Sequence, residues 1–536
     1  MAAWNDGYVY DVAYTTGFYR EISPGWMSTA ALLLGHRPPD ITRPFRWAEL
    51  GCGHGLSANV FAAANPQGEF HGFDFNPSHV ENARRLASRA GLSNAHFHEM
   101  SFADLADAPT GSMPQFGFPG GSMPQFDFPG GSVPQFDFMV AHGIWSWVSE
   151  ASRMQMQAAI RRYLAPGGLA YVSYNTMAGW ASLVPVQRFM REYARVHPGA
   201  SPEVTTAALG FVGEMIKSDA AFFSANPAVA ARLEPTATMD AKYLAHEYLN
   251  ANWDPTTFVQ VADVMADAKC GYIGSATLIE NIDAVAVPPG LGKILATVTD
   301  PRLKEMVRDF GANKSFRRDL YRRGTEAPVS GEQREMLDAL HLVGTGRETE
   351  QNIQIPTGIG QLGLRMDIYT PILERLAQGP MTIEELRQTP ALIRQPLSEA
   401  LQAAAFMVAG GLAHPVVTGE PSAAAIASSQ GLNRQISAIN ASGGALGVLA
   451  SPVIGSGFSA DYVETVMLPE VLAGRDEPEA LVDHILARLA ATGRSVVRDG
   501  KPVTDPVAAR ADMLATVTRL RTERGPLYAR LGVVPR

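Results

Sequence analysis

Cysteine is scarce in this chain of 536 residues, which contains only Cys52 and Cys270. Two thiols cannot supply a disulfide framework or the cysteine ligands of a structural zinc site. The nearest approach to a metal motif is YLAHEYLN, where His246 and Glu247 are followed by Asn250 instead of the second histidine of H-E-x-x-H. The sequence therefore predicts no metal, and the free thiols favour the reducing cytoplasm.

Long hydrophobic runs and an excess of positive charge are also lacking. The mildly apolar stretch GGALGVLASPVIGSGFSA is interrupted by Pro452 and several glycines, whereas a membrane span needs about 20 apolar residues. The opening MAAWNDGYVYDV lacks the basic and apolar segments of a secretory signal. A net charge of -9 argues against a broad nucleic-acid surface. We expect neither a membrane span nor a nucleic-acid partner.

What the chain does contain, between about residues 45 and 175, is an alternation of short β-rich and helical segments. The β-rich segments are FRWAEL, FHGFDF, AHFHEM, FDFMVAHG and GLAYVSY, and helical segments such as NPSHVENARRLASRAG separate them. This alternation is typical of βαβ units with a parallel sheet. It predicts a doubly wound α/β domain, which we place at residues 1–200.

Beyond this domain the hydrophobic spacing changes to that of helices. PEVTTAALGFVGEMIKSDAAFF and DPTTFVQVADVMADAKCG predict a mostly α domain over residues 201–328, in which KSFRRDLYRR (314–323) is typical of a solvated helix end. Residues 340–536 predict a winged-helix-like α+β region, beginning with a capping box of Thr382 and Glu385. Its presumed recognition segment, LSEALQAAAFMVAGG, has no Lys or Arg for DNA, so we expect a scaffolding role.

The segment with most chemical information is WAELGCGHGLSANVF (47–61), where glycines follow an apolar strand. Gly51, Gly53 and Gly55 allow the backbone to approach a ligand at the carboxyl end of the strand. Leu56 stands where the dinucleotide fingerprint G-x-G-x-x-G requires its last glycine. Glu49 would repel a pyrophosphate, but it can accept a hydrogen bond from an ammonium group. The pattern thus favours a cationic ligand.

A second acidic residue, Asp74, ends the second β-rich segment, where a carboxylate can accept hydrogen bonds from both ribose hydroxyls. The combination of E-x-G-x-G-x-G (49–55), this acid, and APGG (165–168) before a further strand resembles the class I S-adenosylmethionine-dependent methyltransferases. The resemblance implies a Rossmann-like sheet of seven strands. It also implies S-adenosyl-L-methionine as the cofactor.

Individual residues take cofactor-binding roles by this resemblance. The methionine end would lie against Glu49, Gly51 and Gly53, and the ribose against Asp74. Phe75 either packs on the base or belongs to the ordinary core. Ser101 and Phe102 would flank the adenine, and His142 and Gly143 would close the pocket at the fourth strand.

The exit loop of the fourth strand bears on the methyl acceptor. Many DNA and glutamine amino-methyltransferases have Asn/Asp-Pro-Pro-Tyr there, whereas this chain has HGIWSW (142–147), which disfavours a planar amide nitrogen. Aromatic residues nearby either hold an alkylammonium by cation–π attraction or pack in the core: Trp145, Trp147, Tyr174 and Trp180. Our candidate catalytic residues are His142 as proton acceptor, Trp145 as aromatic wall and Asn175 as the group that orients the amine.

A narrower resemblance covers residues 8 to 325 and, more weakly, the rest. YVYDVAYTTGFYREISP, PQFDFMVAHGIWSWVS, KYLAHEYLNANW and NKSFRRDLYRRG are similar to bacterial methyltransferases with a methyltransferase regulatory domain, including rickettsial protein lysine methyltransferases that modify outer membrane protein B. This implies that Tyr14, Thr15 and Tyr19 cover the cofactor and that a protein, such as an outer membrane protein, is the substrate. A small-molecule methyltransferase and a non-catalytic interaction protein remain alternatives, and a homo-oligomer stays open.

One decapeptide occurs three times between residues 111 and 140, as GSMPQFGFPG, GSMPQFDFPG and GSVPQFDFMV. PQFDF of the last copy leads into the fourth strand, so the earlier copies lengthen the connection before it. Proline and glycine at this density do not form a buried element. We predict a duplication in a tolerant loop over 111–133, with binding by its repeated aromatic residues as the alternative.

Overall fold

The computed structural model describes residues 7, 9, 11, 16–108, 135–324, 330–347, 352–416 and 420–534. Residues 111–134 of the repeat segment lie outside the described residues, as do Tyr14 and Thr15. The predictions made for them stay predictions. No helix in the described ranges combines the length and apolar character needed to cross a bilayer.

Seven of the described strands form one twisted sheet with the order β3-β2-β1-β4-β5-β7-β6. The strands β1 to β5 pair in parallel, and β7 is antiparallel to both of its neighbours. This confirms the predicted seven-stranded methyltransferase sheet. The strands are β1 (Phe45–Leu50), β2 (Gly68–Asp74), β3 (Ala95–Glu99), β4 (Phe136–Ala141), β5 (Leu164–Asn175), β6 (Cys270–Ser275) and β7 (Phe316–Arg323).

The strand order reverses between β1 and β4, which are neighbours although β2 and β3 separate them in the chain. In a doubly wound sheet, ligands bind in the crevice beyond the carboxyl ends of the strands at such a reversal. The glycine turn after β1 and the HGIWSW loop after β4 therefore meet at one crevice.

Helices from the first part of the chain flank this sheet. All nine residues of α2 are buried, which is unusual for a helix on the outside of a sheet. A further layer must therefore cover it. The helices are α1 (Pro24–Leu33), α2 (Leu56–Ala64), α3 (Pro77–Ala90), α4 (Phe102–Asp107) and α5 (Glu150–Tyr163).

A helical insertion separates β5 from β6 and has an apolar core of its own, which includes Leu183, Met190, Val212 and Leu244. Its helices are α6 (Met177–Trp180), α7 (Val184–Val196), α8 (Ser201–Lys217), α9 (Ala221–Ala225), α10 (Pro227–Leu233) and α11 (Ala241–Tyr248). The segments that follow it pack beside the sheet and are α12 (Phe258–Asp267), α13 (Asp283–Ala286), α14 (Pro289–Leu295) and α15 (Pro301–Gly311).

The sheet bears on two expectations about this region. Its strands β6 and β7 lie within residues 201–328, the region expected to be mostly α, so the expected division at residue 200 runs through the sheet. KSFRRDLYRR is a buried strand rather than a solvated helix end. The physical reason is that Arg317 pairs with Glu305, Asp309 and Asp319 at 2.5 to 2.9 Å, which compensates its charge inside the protein.

The C-terminal region begins with a small three-stranded sheet in which β8 lies between β11 and β12. The capping box of Thr382 and Glu385 is present. The helices α18 and α19 and the short strand β12 follow this capping box, and the middle strand β8 of the sheet precedes them in the chain. The winged-helix-like arrangement stays a prediction. The elements are α16 (Ser330–Asp338), β8 (His341–Gly344), β9 (Gln354–Thr357), β10 (Gly360–Gly363), α17 (Met366–Gln378), β11 (Met381–Thr382), α18 (Ile383–Arg387), α19 (Leu397–Ala409) and β12 (Ala413–Pro415).

The last part of the chain supplies the layer that covers α2. Its helix α20 packs against α2 and α3, and the Ser429 hydroxyl donates a hydrogen bond to the carbonyl of Ala63 at 3.2 Å. The Asn65 amide donates to the carbonyl of Gly455 at 2.8 Å. The elements are α20 (Ala423–Ala441), β13 (Val448–Ser451), β14 (Ser456–Ser459), α21 (Tyr462–Leu472), α22 (Pro478–Ala491), β15 (Val497–Arg498), β16 (Lys501–Pro502) and α23 (Pro506–Arg530).

Candidate active site

A cavity of about 610 Å³ lies at the crevice predicted by the strand order. Its wall combines the glycine turn after β1, the ends of β2 and β5, the loops after β3 and β4, the start of β7, and helix α11 of the insertion. Cavities that hold small molecules usually measure roughly 300–1,000 Å³. The site therefore has room for a nucleoside-sized ligand.

The glycine turn needs its glycines for two different reasons. Gly51, Gly53 and Gly55 have φ angles of 75°, 52° and 65°, a left-handed conformation that other residues adopt at a cost. A Cβ on Gly55 would also lie 2.5 Å from the ring of Phe97, whereas a Cβ on Gly53 would meet open space. Gly55 thus permits close packing of the helix, and Gly53 leaves the cavity open.

Asp74 connects this turn to the end of β2. One carboxylate oxygen accepts a hydrogen bond from the backbone N–H of Gly53 at 2.8 Å, and the other accepts from that of Asn76 at 2.9 Å. Each oxygen of an ionised carboxylate has a second lone-pair site, so Asp74 can accept further hydrogen bonds from a ligand. It lines the cavity, as its predicted contact with a ribose requires.

Glu49 lines the same part of the cavity and is 5 % exposed. Burial, together with the nearby Asp74 carboxylate, raises the pKa of Glu49 to about 8. Its Oε2 finds no hydrogen-bond donor among the described residues. A buried carboxylate oxygen without a partner is costly. The site is therefore suited to a ligand that brings a cationic donor, such as an ammonium group.

The expected adenine end of the cavity is lined by Phe75, Ser101 and Phe102. The Ser101 side chain is already engaged, because it is the N-cap of α4. Its hydroxyl donates to the Asp104 carboxylate at 2.7 Å and accepts from the Asp104 backbone at 3.1 Å. The rings of Phe75 and Phe102 also line this end of the cavity, where a base would pack.

His142 and Gly143 lie on the opposite side of the cavity. His142 Nδ1 is 2.9 Å from the Tyr171 hydroxyl, and the imidazole centroid is 3.8 Å from that of the Tyr19 ring. Burial, with a smaller effect of the Arg318 cation, lowers the pKa of His142 to about 3. A lowered pKa makes the imidazole a weaker base, which disfavours the role of proton acceptor, and that role stays a prediction.

The candidate catalytic residues do not all reach the cavity. Asn175 lines it, and its side-chain Nδ2 has no acceptor in the described part of the chain. Trp145 is 2 % exposed and packs in the core with Met156 and Ile160, so it is not part of the cavity wall. This is a correction, and its reason is the 3₁₀ turn Trp145–Trp147, which directs Trp147 to the cavity instead.

Several lining residues were missed because they are distant in the chain. Glu247 was noted only as part of a failed zinc motif, and Arg318 only as part of a charged run. The insertion also contributes Tyr243 to the wall, together with Trp180, which is one of the aromatic residues expected near the acceptor. No local signal marks Glu247, Arg318 or Tyr243 as lining residues. Within the described ranges, no three His, Cys, Asp or Glu side chains are grouped as metal ligands.

Two protein families match the chain. Residues 48–170 match a family described as "Methyltransferase domain", and residues 240–323 match one described as "Predicted methyltransferase regulatory domain". The regulatory match contains both β6 and β7. It therefore includes two strands of the main sheet.

The chain is also similar to whole proteins. It is 33% identical over 532 residues to the uncharacterized protein sll1526 of Synechocystis sp., with 99% of each chain covered. It is 26% identical over 314 residues to the uncharacterized protein RP789 of Rickettsia prowazekii. These aligned residues are 58% of this chain and 51% of RP789. PKMT2 from Rickettsia typhi, solved in complex with AdoHcy, has the same fold at 17% identity, with a TM-score of 0.67 over 97% of this chain and 100% of PKMT2.

These similarities extend over the sheet, the insertion and the C-terminal region alike. The chain belongs to the class I S-adenosylmethionine-dependent methyltransferases that carry a methyltransferase regulatory domain.

Proposed function

We propose that this methyltransferase modifies lysine side-chain amines of a protein substrate, such as an outer membrane protein. Dependence on S-adenosylmethionine follows from the family, and the proposal adds the acceptor. The fold shared with PKMT2 over nearly the whole chain supports it, as does a cavity wall that combines carboxylates with aromatic rings. The observation that carries the proposal is the unpartnered side-chain amide of Asn175, which lines the cavity together with Trp147 and Phe316.

The residues of the cavity fit the cofactor. Glu49 would accept a hydrogen bond from its ammonium group, and Asp74 from its ribose hydroxyls. Phe75 and Phe102 would lie against its adenine, and Tyr19 would cover it together with Tyr14 and Thr15, which the structure does not describe. When bound, the cofactor supplies an electrophilic methyl group on a sulfonium.

The task left to the protein is to align the acceptor and to present it without its proton. A free lysine has a pKa of about 10.4 and is protonated at pH 7. Burial disfavours an ammonium, so the apolar surfaces of Trp147 and Phe316 help to shift it to the neutral amine. Asn175 would orient the amine through its side-chain amide.

Transfer of a tritiated methyl group to a cell-envelope extract tests the proposal. We expect acid-precipitable counts that appear as methyl-lysine on hydrolysis, and their loss in Glu49→Gln. Counts confined to the supernatant would indicate a small-molecule acceptor, and no counts would indicate an interaction protein. Light scattering of the purified chain would measure whether it forms a homo-oligomer.

A matched control removes a carboxylate that lies outside the cavity. Glu214 is on α8, its side chain is 70% exposed, and it pairs with Lys217 on the surface. We expect Glu214→Gln to label protein as the unmodified chain does. Equal labelling by Glu49→Gln and Glu214→Gln would contradict the proposed role of Glu49.

A further inference from the structure

Glu247 lies in the same cavity as Glu49 but belongs to the helical insertion. It is 8% exposed, and its helix α11 is held in place at both ends. At the start, the Asp240 carboxylate accepts a hydrogen bond from the Lys242 backbone at 2.7 Å. Just after the end, the Asn250 side chain donates to the carbonyl of His246 at 2.7 Å and accepts from the backbone of Val9 at 2.8 Å. These hydrogen bonds fix the helix that carries Glu247, and the side chain of Glu247 is buried.

The surroundings of Glu247 suit a group that exchanges a proton. Burial raises its pKa to about 7, and a hydrogen bond with the Tyr243 side chain opposes part of this rise. A general base works best when its pKa lies near the operating pH. A carboxyl in this range can both accept a proton and release it.

Three carboxylates occur among the described residues of the cavity wall: Glu49, Asp74 and Glu247. Asp74 holds the glycine turn through two backbone hydrogen bonds. Glu49 stands beside Asp74, on the side assigned to the cofactor. Glu247 is the carboxylate that neither role uses, and it comes from helix α11 of the insertion.

We propose that Glu247, oriented by the Tyr243 side chain, binds the acceptor ammonium and removes its proton. This inference rests on the proposed function, because it requires an amine as acceptor. The ammonium N–H bond breaks and its proton passes to the carboxylate, which leaves a lone pair on nitrogen. That lone pair forms the new bond to the methyl carbon while the bond from sulfur to this carbon breaks and its electrons stay on sulfur. Glu247 then releases its proton to water.

The other charged and titratable groups around Glu247 agree with this role. Tyr243 and Tyr248 belong to the same helix, and both phenols have raised pKa values because of burial, with the Glu247 charge as the next cause. Tyr19 faces it from the N-terminal segment, and its pKa is raised by burial and, to a lesser extent, by Glu49 and Glu247. Arg318 lines the same cavity from β7. Its positive charge disfavours a second cation there, so it assists loss of the proton from the acceptor.

Binding of n-butylammonium, which reproduces the end of a lysine side chain, tests this inference without turnover. The protein is saturated with AdoHcy, and the affinity is measured by ligand-observed nuclear magnetic resonance. We expect Glu247→Gln to weaken binding about tenfold, because a charge-assisted hydrogen bond becomes a neutral one. Binding of uncharged 1-butanol and of AdoHcy should stay within about twofold, and Glu214→Gln should match the unmodified protein.

The inference is overturned if the unmodified protein does not bind n-butylammonium, or if Glu247→Gln binds it equally well. Should Glu247→Gln fail to bind AdoHcy, Tyr243→Phe provides the test, because it keeps the carboxylate and removes only its orienting hydroxyl. We then expect about threefold weaker binding of n-butylammonium. An unchanged affinity in Tyr243→Phe would overturn the inference.

The pH profile of methyl transfer separates this inference from the proposed function. We expect the acidic limb of the profile, near pH 7, to disappear in Glu247→Gln together with most of the turnover. If the unmodified protein labels lysine and Glu247→Gln keeps both rate and profile, the role of Glu247 is refuted and the proposed function stands. If the unmodified protein binds AdoHcy but labels no lysine, the proposed function itself fails.

Discussion

The two walls of the cavity have different origins. One wall is built by the turn after β1 and the end of β2. Gly53 in the turn and Asp74 at the end of β2 are 21 residues apart in the chain. The other is built by α11 of the insertion, which begins 167 residues after Asp74. The first wall carries hydrogen-bonding groups suited to a nucleoside and an ammonium group, and the second carries Tyr243 and Glu247. Our proposals thus place cofactor recognition and acceptor recognition on separate parts of the fold.

The largest expected effect is on folding stability and tests the buried ion pairs that Arg317 of β7 makes. Arg317→Met leaves Glu305, Asp309 and Asp319 buried without their cation, which costs about 3–5 kcal/mol of folding stability. Urea unfolding measures the loss. Arg195 of the insertion, which pairs with Glu192 on the surface, provides the control, and Arg195→Met should leave the midpoint unchanged. Equal midpoints for the two variants would contradict a structural role of the buried network.

The next largest effect is on AdoHcy affinity, which a change in the first wall should lower and a change in the second wall should not. Asp74→Ala removes the acceptor of two backbone hydrogen bonds and the expected ribose contact, so AdoHcy affinity should fall about 100-fold. Glu247→Gln should change it less than about twofold. Calorimetry with AdoHcy measures both, and Asp107→Ala, an exposed change on α4, is the control. If Glu247→Gln lost as much affinity as Asp74→Ala, the separation of roles would be wrong.

A smaller effect comes from the pH dependence of the first wall. Because the pKa of Glu49 is raised to about 8, this carboxyl is protonated in the free protein at pH 7 and must lose its proton to pair with an ammonium. AdoHcy affinity should therefore rise with pH up to about 8, by somewhat less than tenfold between pH 6.5 and 7.5. Binding should also release a proton, which calorimetry in buffers of different ionisation enthalpy detects. In Glu49→Gln, the pH dependence and the proton release should both disappear.

The same pKa has a consequence for stability without ligand. The folded value lies above the usual value of 4.5, so the native state binds more protons than the unfolded state between these pH values. The contribution of Glu49 to stability is therefore present below pH 4.5 and is lost as the pH rises toward 8. Glu49→Gln should reduce this loss, measured as the difference in urea midpoint between pH 5 and pH 8.

The smallest expected effect tests whether the Ser101 hydroxyl serves helix α4 or the cofactor. The Ser101 hydroxyl caps α4, so Ser101→Ala should cost about 1 kcal/mol of stability. AdoHcy affinity should change less than about twofold if the hydroxyl serves the helix rather than the adenine. Unfolding and calorimetry on one preparation measure both quantities. A large loss of affinity with full stability would restore Ser101 as an adenine contact.

The first wall could be predicted from the sequence because its signals are local. The strands β1 to β5 are short apolar segments between helical ones, and the spacing of Gly51, Gly53 and Gly55 requires a tight turn. Glu49 and Asp74 occur directly at strand ends, where parallel strands bring side chains to one edge. Their presence in the cavity agrees with the prediction, whereas their contacts with a cofactor stay a prediction.

The strand β7 and the rest of the cavity could not be predicted in the same way. FRRDLYRR has the composition of a solvated segment, and only the carboxylates of α15 make Arg317 acceptable in a buried strand. Trp145 and Trp147 are two residues apart in one loop, yet the 3₁₀ turn directs one to the core and the other to the cavity. A pattern of residue types does not distinguish these outcomes, because both side chains are equally suited to either place.

The sequence by itself determined the alternation of strands and helices in the first half, the turn for a ligand at the end of β1, and the acidic residues beside it. Each of these follows from backbone conformation or from the periodicity of neighbouring residues. Only the tertiary structure decided that β7 completes the sheet and that Glu247 faces the cavity. Those positions depend on the burial of charged groups against partners distant in the chain, and such burial is a property of the assembled fold.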